Sequence, residues 1–204
     1  MRTMTGIIHA VNIAADESGI PCWNGKAEPV VSGEEPMFFI GRDLEILLRM
    51  PFQMRLQMTG QMIRGYGKMG PVFAECGAVS MEQILELTEA AAESGAAGIS
   101  VISPLFFGAA QTEQRKYYLD IAVKLPEDFP MYLRCSPKLS SNLISRELVE
   151  MLTEDCPNIV GLIDGCTEAD RMLRLSENRE YQLLTDRESV YKIAGAQRYD
   201  GVIC

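Results

Sequence analysis

Short runs of nearly uninterrupted apolar residues alternate along this chain with longer stretches whose apolar positions recur every three or four residues. The short runs cover residues 6–13, 37–41, 72–75, 98–103, 131–135, 159–163, 181–185 and 201–204. From residue 72 onward the runs are almost wholly apolar rather than alternating, as expected of parallel strands covered on both faces. The longer stretches read as helices. Ser80-Met-Glu-Gln83 is a capping box that opens a helix over 81–94, with Ile84, Leu85, Leu87 and Ala91 at helical spacing and Gly95 as its stop. A second helix runs from about 113 to 124, before Pro126. Ser145 caps a helix over 146–152, Thr167-Glu-Ala-Asp170 opens one that reaches about Leu175, and Thr185-Asp-Arg-Glu188 opens one that ends near Gly195. Strand–helix–strand repetition predicts right-handed crossovers and a parallel sheet.

The first seventy residues are less regular. Residues 16–36 hold three prolines, several glycines and little periodicity, where a repeating unit would place a helix. A helix over 51–64 follows the second strand, with Pro51 suited to its first position. Met50, Met54, Met58 and Met62 recur every fourth residue, and 46–74 contains basic but no acidic residues. Three readings stay open: a core-facing stripe under a solvated basic face, an adaptable subunit or partner surface, and a membrane-surface helix.

Composition narrows the class. The 204 residues include 19 Lys+Arg and 28 Asp+Glu, for a formal charge of −9, which argues against a general nucleic-acid binder. No apolar run approaches the ~18 residues of a membrane-spanning helix, and the N-terminus lacks a convincing cleavage region. The six cysteines include no CxxC or similar pair, and His9 is the one histidine, so a Cys/His zinc site is not expected. Free thiols in a reducing cytoplasm, no metal, no cofactor and no membrane are the expectation. One domain over 1–204 is the default. Eight strands suggest a barrel, but such barrels usually need about 250 residues. The expected barrel is therefore incomplete, with an irregular first helix and without an eighth helix.

The stretch PVFAECGAVSMEQILELTEAAAESGAAGISVISPLFF resembles the dihydrodipicolinate synthase / N-acetylneuraminate lyase family through its third strand, third helix and fourth strand. FPMYLRCSP, CPNIVGLIDG and YDGVIC continue the resemblance toward the C-terminus, and GIIHAVNIAADESG resembles the family's opening segment. Gly41-Arg-Asp-Leu-Glu45 lies where the family has GTTGE. The resemblance implies a (β/α)8 TIM barrel, a homo-oligomer, and a lyase that forms a Schiff base between pyruvate or another 2-oxo acid and a lysine on the sixth strand. It also implies proton relay by tyrosines from the fifth strand and the fourth-strand loop, and a C-terminal helical extension that is missing from the expected barrel.

This chain departs from that pattern at each chemical position. The lysine position holds Ile163, the fifth-strand tyrosine position Arg134, and the fourth-strand tyrosine position Phe106. The two threonines become Arg42 and Asp43, and the arginine of the family's PxRT motif becomes Leu139, with Pro137 and Ser140 compatible. Arg42, Asp43, Arg134, Ser136, Lys138 and Asp164 are the candidates for binding a small carboxylate. Arg134 reads either as a structural ion pair with Asp164 or as a retained anion site. Lys138 reads as a solvated loop charge, an anion contact or a relocated nucleophile. Glu75, Cys76 and Asp186 also fall at strand ends, and Cys135 reads as an inert buried thiol or, less economically, a nucleophile. Three functions stay open: a diverged member without Schiff-base chemistry, an active lyase with relocated groups, and a non-catalytic scaffold or oligomer subunit.

Overall fold

The structure is a computed structural model, and it describes residues 1–15, 17, 19–23, 25–26, 36–194 and 198–204. Eight parallel strands close into a barrel: β1 (Gly6–Val11), β2 (Met37–Ile40), β3 (Val72–Glu75), β4 (Gly98–Ile102), β5 (Met131–Cys135), β6 (Ile159–Asp164), β7 (Gln182–Thr185) and β8 (Gly201–Ile203). Each strand pairs with its sequence neighbour, and β8 pairs with β1 to close the ring. The helices are α1 (Leu44–Leu47), α2 (Phe52–Tyr66), α3 (Met81–Glu93), α4 (Gln111–Ala122), α5 (Arg146–Asp155), α6 (Ala169–Ser176) and α7 (Glu188–Ala194). The chain is the (β/α)8 barrel that the apolar runs imply.

The period-two geometry of a strand divides its side chains between two layers. Inward positions form the bore: Met4, Ile8, Phe39, Phe73, Tyr132, Ile163, Leu184 and Ile203 make one buried apolar cluster. Outward positions such as Ala74, Val101, Leu133 and Leu162 join the larger layer beneath the helices, with Met58, Ile84, Tyr118 and Leu148. Both layers are dry, which is why the strands carry no polar alternation. At the lower end, the Tyr132 hydroxyl accepts a hydrogen bond from the Met4 backbone N–H at 2.8 Å and donates to the Gln182 carbonyl oxygen of the side chain.

Several boundaries differ from the sequence reading. Ser80 and Ser145 cap α3 and α5, accepting from Gln83 and Leu148 at 3.3 and 3.2 Å. Gly95 follows α3 at φ +89°, the left-handed stop that glycine adopts without a Cβ clash. Pro51 proves to be the cap before α2 rather than its first residue. Helix α4 starts two residues earlier than expected, because the Glu113 carboxylate turns back to the Ala110 N–H at 2.8 Å. Thr167 does not open α6; Glu168 is its cap. The Thr185 hydroxyl instead ties strand ends together, donating to the Asp164 carbonyl at 2.9 Å and accepting from the Arg187 N–H at 3.1 Å. Helix α1 was not foreseen. After β1, Ala14–Ala15 pairs antiparallel with Pro21–Cys22; the rest of the irregular segment, residues 27–35, and the stop near Gly195 lie outside the described residues.

Helix α2 shows why the methionine stripe is only partly core. Its buried face is Arg55, Met58, Thr59, Met62, Ile63 and Tyr66, a spacing of three and four. Met54 lies off that face and is 41% exposed. The basic face is not wholly solvated either, since Arg55 is buried.

Replacing Tyr132 with Phe removes the acceptor of a buried N–H. The expected cost is about 1–3 kcal/mol, measured as a lower urea midpoint at unchanged slope.

Candidate functional site

The upper ends of the strands meet above the apolar layer, where three inward positions carry charge. Arg134 comes from β5, Glu75 from the end of β3, and Asp186 from the residue after β7. The Arg134 guanidinium is 1% exposed. Its Nη1 donates to the Gly41 carbonyl at 2.9 Å and to Glu75 Oε2 at 3.3 Å. Its Nη2 donates to the Arg42 carbonyl at 2.5 Å and to Asp186 Oδ2 at 2.9 Å. Its Cζ also stands 5.7 Å from the centroid of the Phe39 ring, a cation–π distance. Burial alone pulls the guanidinium's pKa down, but Glu75 and Asp186 outweigh it and hold the group above its ordinary value. Arg134 stays charged.

Glu75 is saturated. Its Oε1 accepts from the N–H groups of Gly77 and Ile102 at 2.8 and 3.0 Å, and its Oε2 accepts from Ser100 Oγ at 2.5 Å as well as from Arg134. Four donors fix this carboxylate in one rotamer, so it has little freedom to pass protons. Gly41 makes the arrangement sterically possible. It sits at φ +92°, and a Cβ there would lie 2.8 Å from the Glu75 Cβ.

Arg55 on α2 is a neighbour the sequence reading missed. Its Nη2 donates to the Glu75 carbonyl at 3.1 Å, and burial lowers its pKa. The signal was present, because Arg55 falls on the apolar face at helical spacing from Met58, Thr59 and Met62. Cys76 is fully buried; burial first, then Glu75, pushes its thiol up, away from nucleophilic use.

The expected Arg134–Asp164 pair does not form. Ile163 points into the bore with no exposed surface, so its neighbour Asp164 must face outward. There Asp164 binds Arg171 of α6, with Nη2 to Oδ1 at 3.0 Å and Nε to Oδ1 at 3.1 Å. The other candidates scatter. Arg42 contributes its carbonyl to Arg134; Asp43 is an exposed cap of α1 without a side-chain bond. Ser136 is buried and offers its carbonyl to the N–H groups of Leu139 and Ser140. Lys138 is exposed on the loop after β5. Phe106 is 71% exposed at φ +68° rather than packed. The fold also joins cysteines that spacing left apart: Cys135 and Cys166 lie with their sulfurs 3.8 Å apart.

The charged plug is the site's main commitment. Arg134→Met strands two buried carboxylates and should cost about 3–5 kcal/mol. The triple change Arg134→Met, Glu75→Gln, Asp186→Asn should recover part of that loss, as seen by chemical denaturation. Equal stability of the single and triple variants would show that charge pairing is not what holds this layer.

Known proteins share this architecture. The chain is 33% identical over 122 residues to 4-hydroxy-tetrahydrodipicolinate synthase of Thermus thermophilus, covering 59% of this chain and 40% of that protein. It thus spans less than half of that relative's length. The structure of YagE from Escherichia coli K12, a prophage protein of the dihydrodipicolinic acid synthase family in complex with pyruvate, superposes with a TM-score of 0.84 at 19% identity, over 99% of this chain and 70% of that one. A catalytic lysine mutant of Ruminococcus gnavus sialic acid aldolase gives a TM-score of 0.81 at 14% identity, over 100% of this chain and 68% of the other. The model of the dihydrodipicolinate synthetase family matches residues 50–186, from the start of α2 to the carboxylate that holds Arg134. That match takes in three of the plug's charged residues and well over half of the chain, which therefore belongs to the dihydrodipicolinate synthetase family.

Proposed function

We propose that this chain is a diverged member of its family that has lost Schiff-base aldolase chemistry. The observation that carries the reading is Ile163. It occupies the position that the resemblance assigns to the lysine, and it is sealed in the apolar bore beside Tyr132 and Leu184. An imine-forming amine must reach the substrate carbonyl in a pocket that favours its neutral form. Among the described residues, Lys138 is the lysine closest in sequence to an upper strand end, and it lies exposed on its loop.

The same reading accounts for Arg134. Both of its terminal nitrogens serve protein acceptors and only its Nε is left without one, so a carboxylate would bind in two-point fashion only by displacing a carboxylate or backbone carbonyl already there. We read Arg134 as a structural cation, and a small 2-oxo acid as a weak ligand at most. An active lyase with relocated groups is the reading that this arrangement supports least.

A second observation favours self-association. Phe106 and Phe107 are 71% and 81% exposed on the loop after β4. The loop is nevertheless ordered by Asn142, whose Nδ2 donates to the carbonyls of Pro104 and Phe107 at 2.7 Å and whose Oδ1 accepts from the Ala109 N–H at 2.7 Å. A left-handed phenylalanine costs roughly 1–3 kcal/mol. Holding two aromatic rings in water at that cost supports an interface. The Met-rich helix is a poorer surface, because Met58 and Met62 are buried.

Incubation with pyruvate followed by borohydride should leave the protein's mass unchanged. A pyruvyl adduct mapping to Lys138 would overturn the non-catalytic reading. In sedimentation, the wild type should associate and Phe106→Asp with Phe107→Asp should dissociate it. A monomeric wild type, or a double variant that stays associated, would exclude that loop as the interface.

A further inference from the structure

A second cluster lies on the outer face of the same strand ends, away from the Arg134 plug. Cys135 ends β5, Asp164 ends β6, and Cys166 lies two residues further on. The two sulfurs are 3.8 Å apart, and together with a carboxylate oxygen of Asp164 they lie within 4.8 Å of one another. All three residues are buried. The carboxylate is held from behind: Arg171 Nε and Nη2 both reach it, and Nη2 also donates to the Ile144 carbonyl at 2.8 Å. Such outer partners aim metal ligands in known sites.

The spacing fits a metal as well as it fits two thiols in contact. Tetrahedral zinc with thiolate bonds of about 2.3 Å places its sulfurs about 3.8 Å apart. The charges also close. Two thiolates and a carboxylate carry three negative charges, Arg171 carries one positive charge, and a divalent cation supplies the remaining two. Three protein ligands leave a fourth position for water, the pattern of an open zinc site.

We propose that Cys135, Cys166 and Asp164 form a binding site for a divalent metal ion of the zinc class. Binding replaces the two thiol protons with metal–sulfur bonds and releases those protons to solvent. The site is separate from the bore, so it does not depend on whether aldolase chemistry is lost.

The test uses the reduced, metal-free full chain titrated with Co²⁺. About one equivalent should bind, with a sulfur-to-cobalt charge-transfer band that Zn²⁺ then removes, and about two protons should be released per metal in weak buffer. Cys135→Ser and Cys166→Ser should each abolish the band, and Asp164→Asn should weaken binding at least about tenfold. Cys156→Ser, outside the cluster, should bind like the wild type. If a serine variant fails to fold, the wild type still decides: Zn²⁺ should protect Cys135 and Cys166 from alkylation, as mapped by mass spectrometry. Absence of the band, its persistence in both serine variants, or equal alkylation with and without Zn²⁺ would overturn the proposal. So would a Cys135–Cys166 disulfide formed by a chain that takes up no metal when reduced.

Discussion

A guanidinium sealed inside a protein is expensive unless its partners are in place before it arrives, and Arg134 is surrounded by such partners. The desolvation of an ion costs several kcal/mol even after relaxation. Two carboxylates and two backbone carbonyls offset that cost here, from the ends of β2, β3 and β7. Each anchor is itself constrained. Glu75 is fixed by four donors, Gly41 by its left-handed backbone, and Asp186 by the strand end it follows. The result is a brace across the upper bore that couples strands far apart in sequence. Its strength lies in this mutual fixing rather than in Coulomb attraction alone, because removing Arg134 leaves both carboxylates buried without their cation.

The brace also bears on what the layer below can contain. Arg134 and Ile163 are register partners on adjacent strands, and both point inward. A lysine at 163 would set a second cation beside the first, and like charges directly opposite destabilise a strand pair. Arg134 and Ile163 are therefore compatible with each other in a way that an arginine beside a lysine would not be. An arginine on the fifth strand favours an apolar residue on the sixth, and an apolar residue on the sixth leaves no reason for a proton relay on the fifth. Under the proposed reading, the isoleucine at 163 and the arginine at 134 are one physical change seen at two positions.

Much of this was legible along the chain because the strands are dry on both faces. Their apolar runs located all eight, and the serine caps and Gly95 located helix ends. Partners across the barrel were harder. One of the two readings of Arg134 pairs it with Asp164, yet strand parity already forbids it: if Ile163 faces in, Asp164 faces out. One of the three readings of helix α2 leaves Arg55 on a solvated basic face, although its spacing from Met58 and Met62 places it on the buried face. The exposure of Phe106 depends on a loop geometry that Asn142 enforces from 36 residues away in sequence. The approach of Cys135 to Cys166 depends on closure of the β5–β6 end, which no cysteine spacing encodes.

Strand parity also explains how the two faces can diverge independently. Along β6, Ile163 belongs to the bore and Asp164 to the outer layer; along β5, Arg134 belongs to the bore and Cys135 to the outer layer. Substitutions at one parity change the bore without altering what the other parity presents to the helices. The Arg171 bridge to Asp164 is made entirely on the outer side, from α6, and owes nothing to the charge of Arg134. A barrel can therefore carry a structural brace in its bore while a separate set of buried polar groups is organised a single residue away.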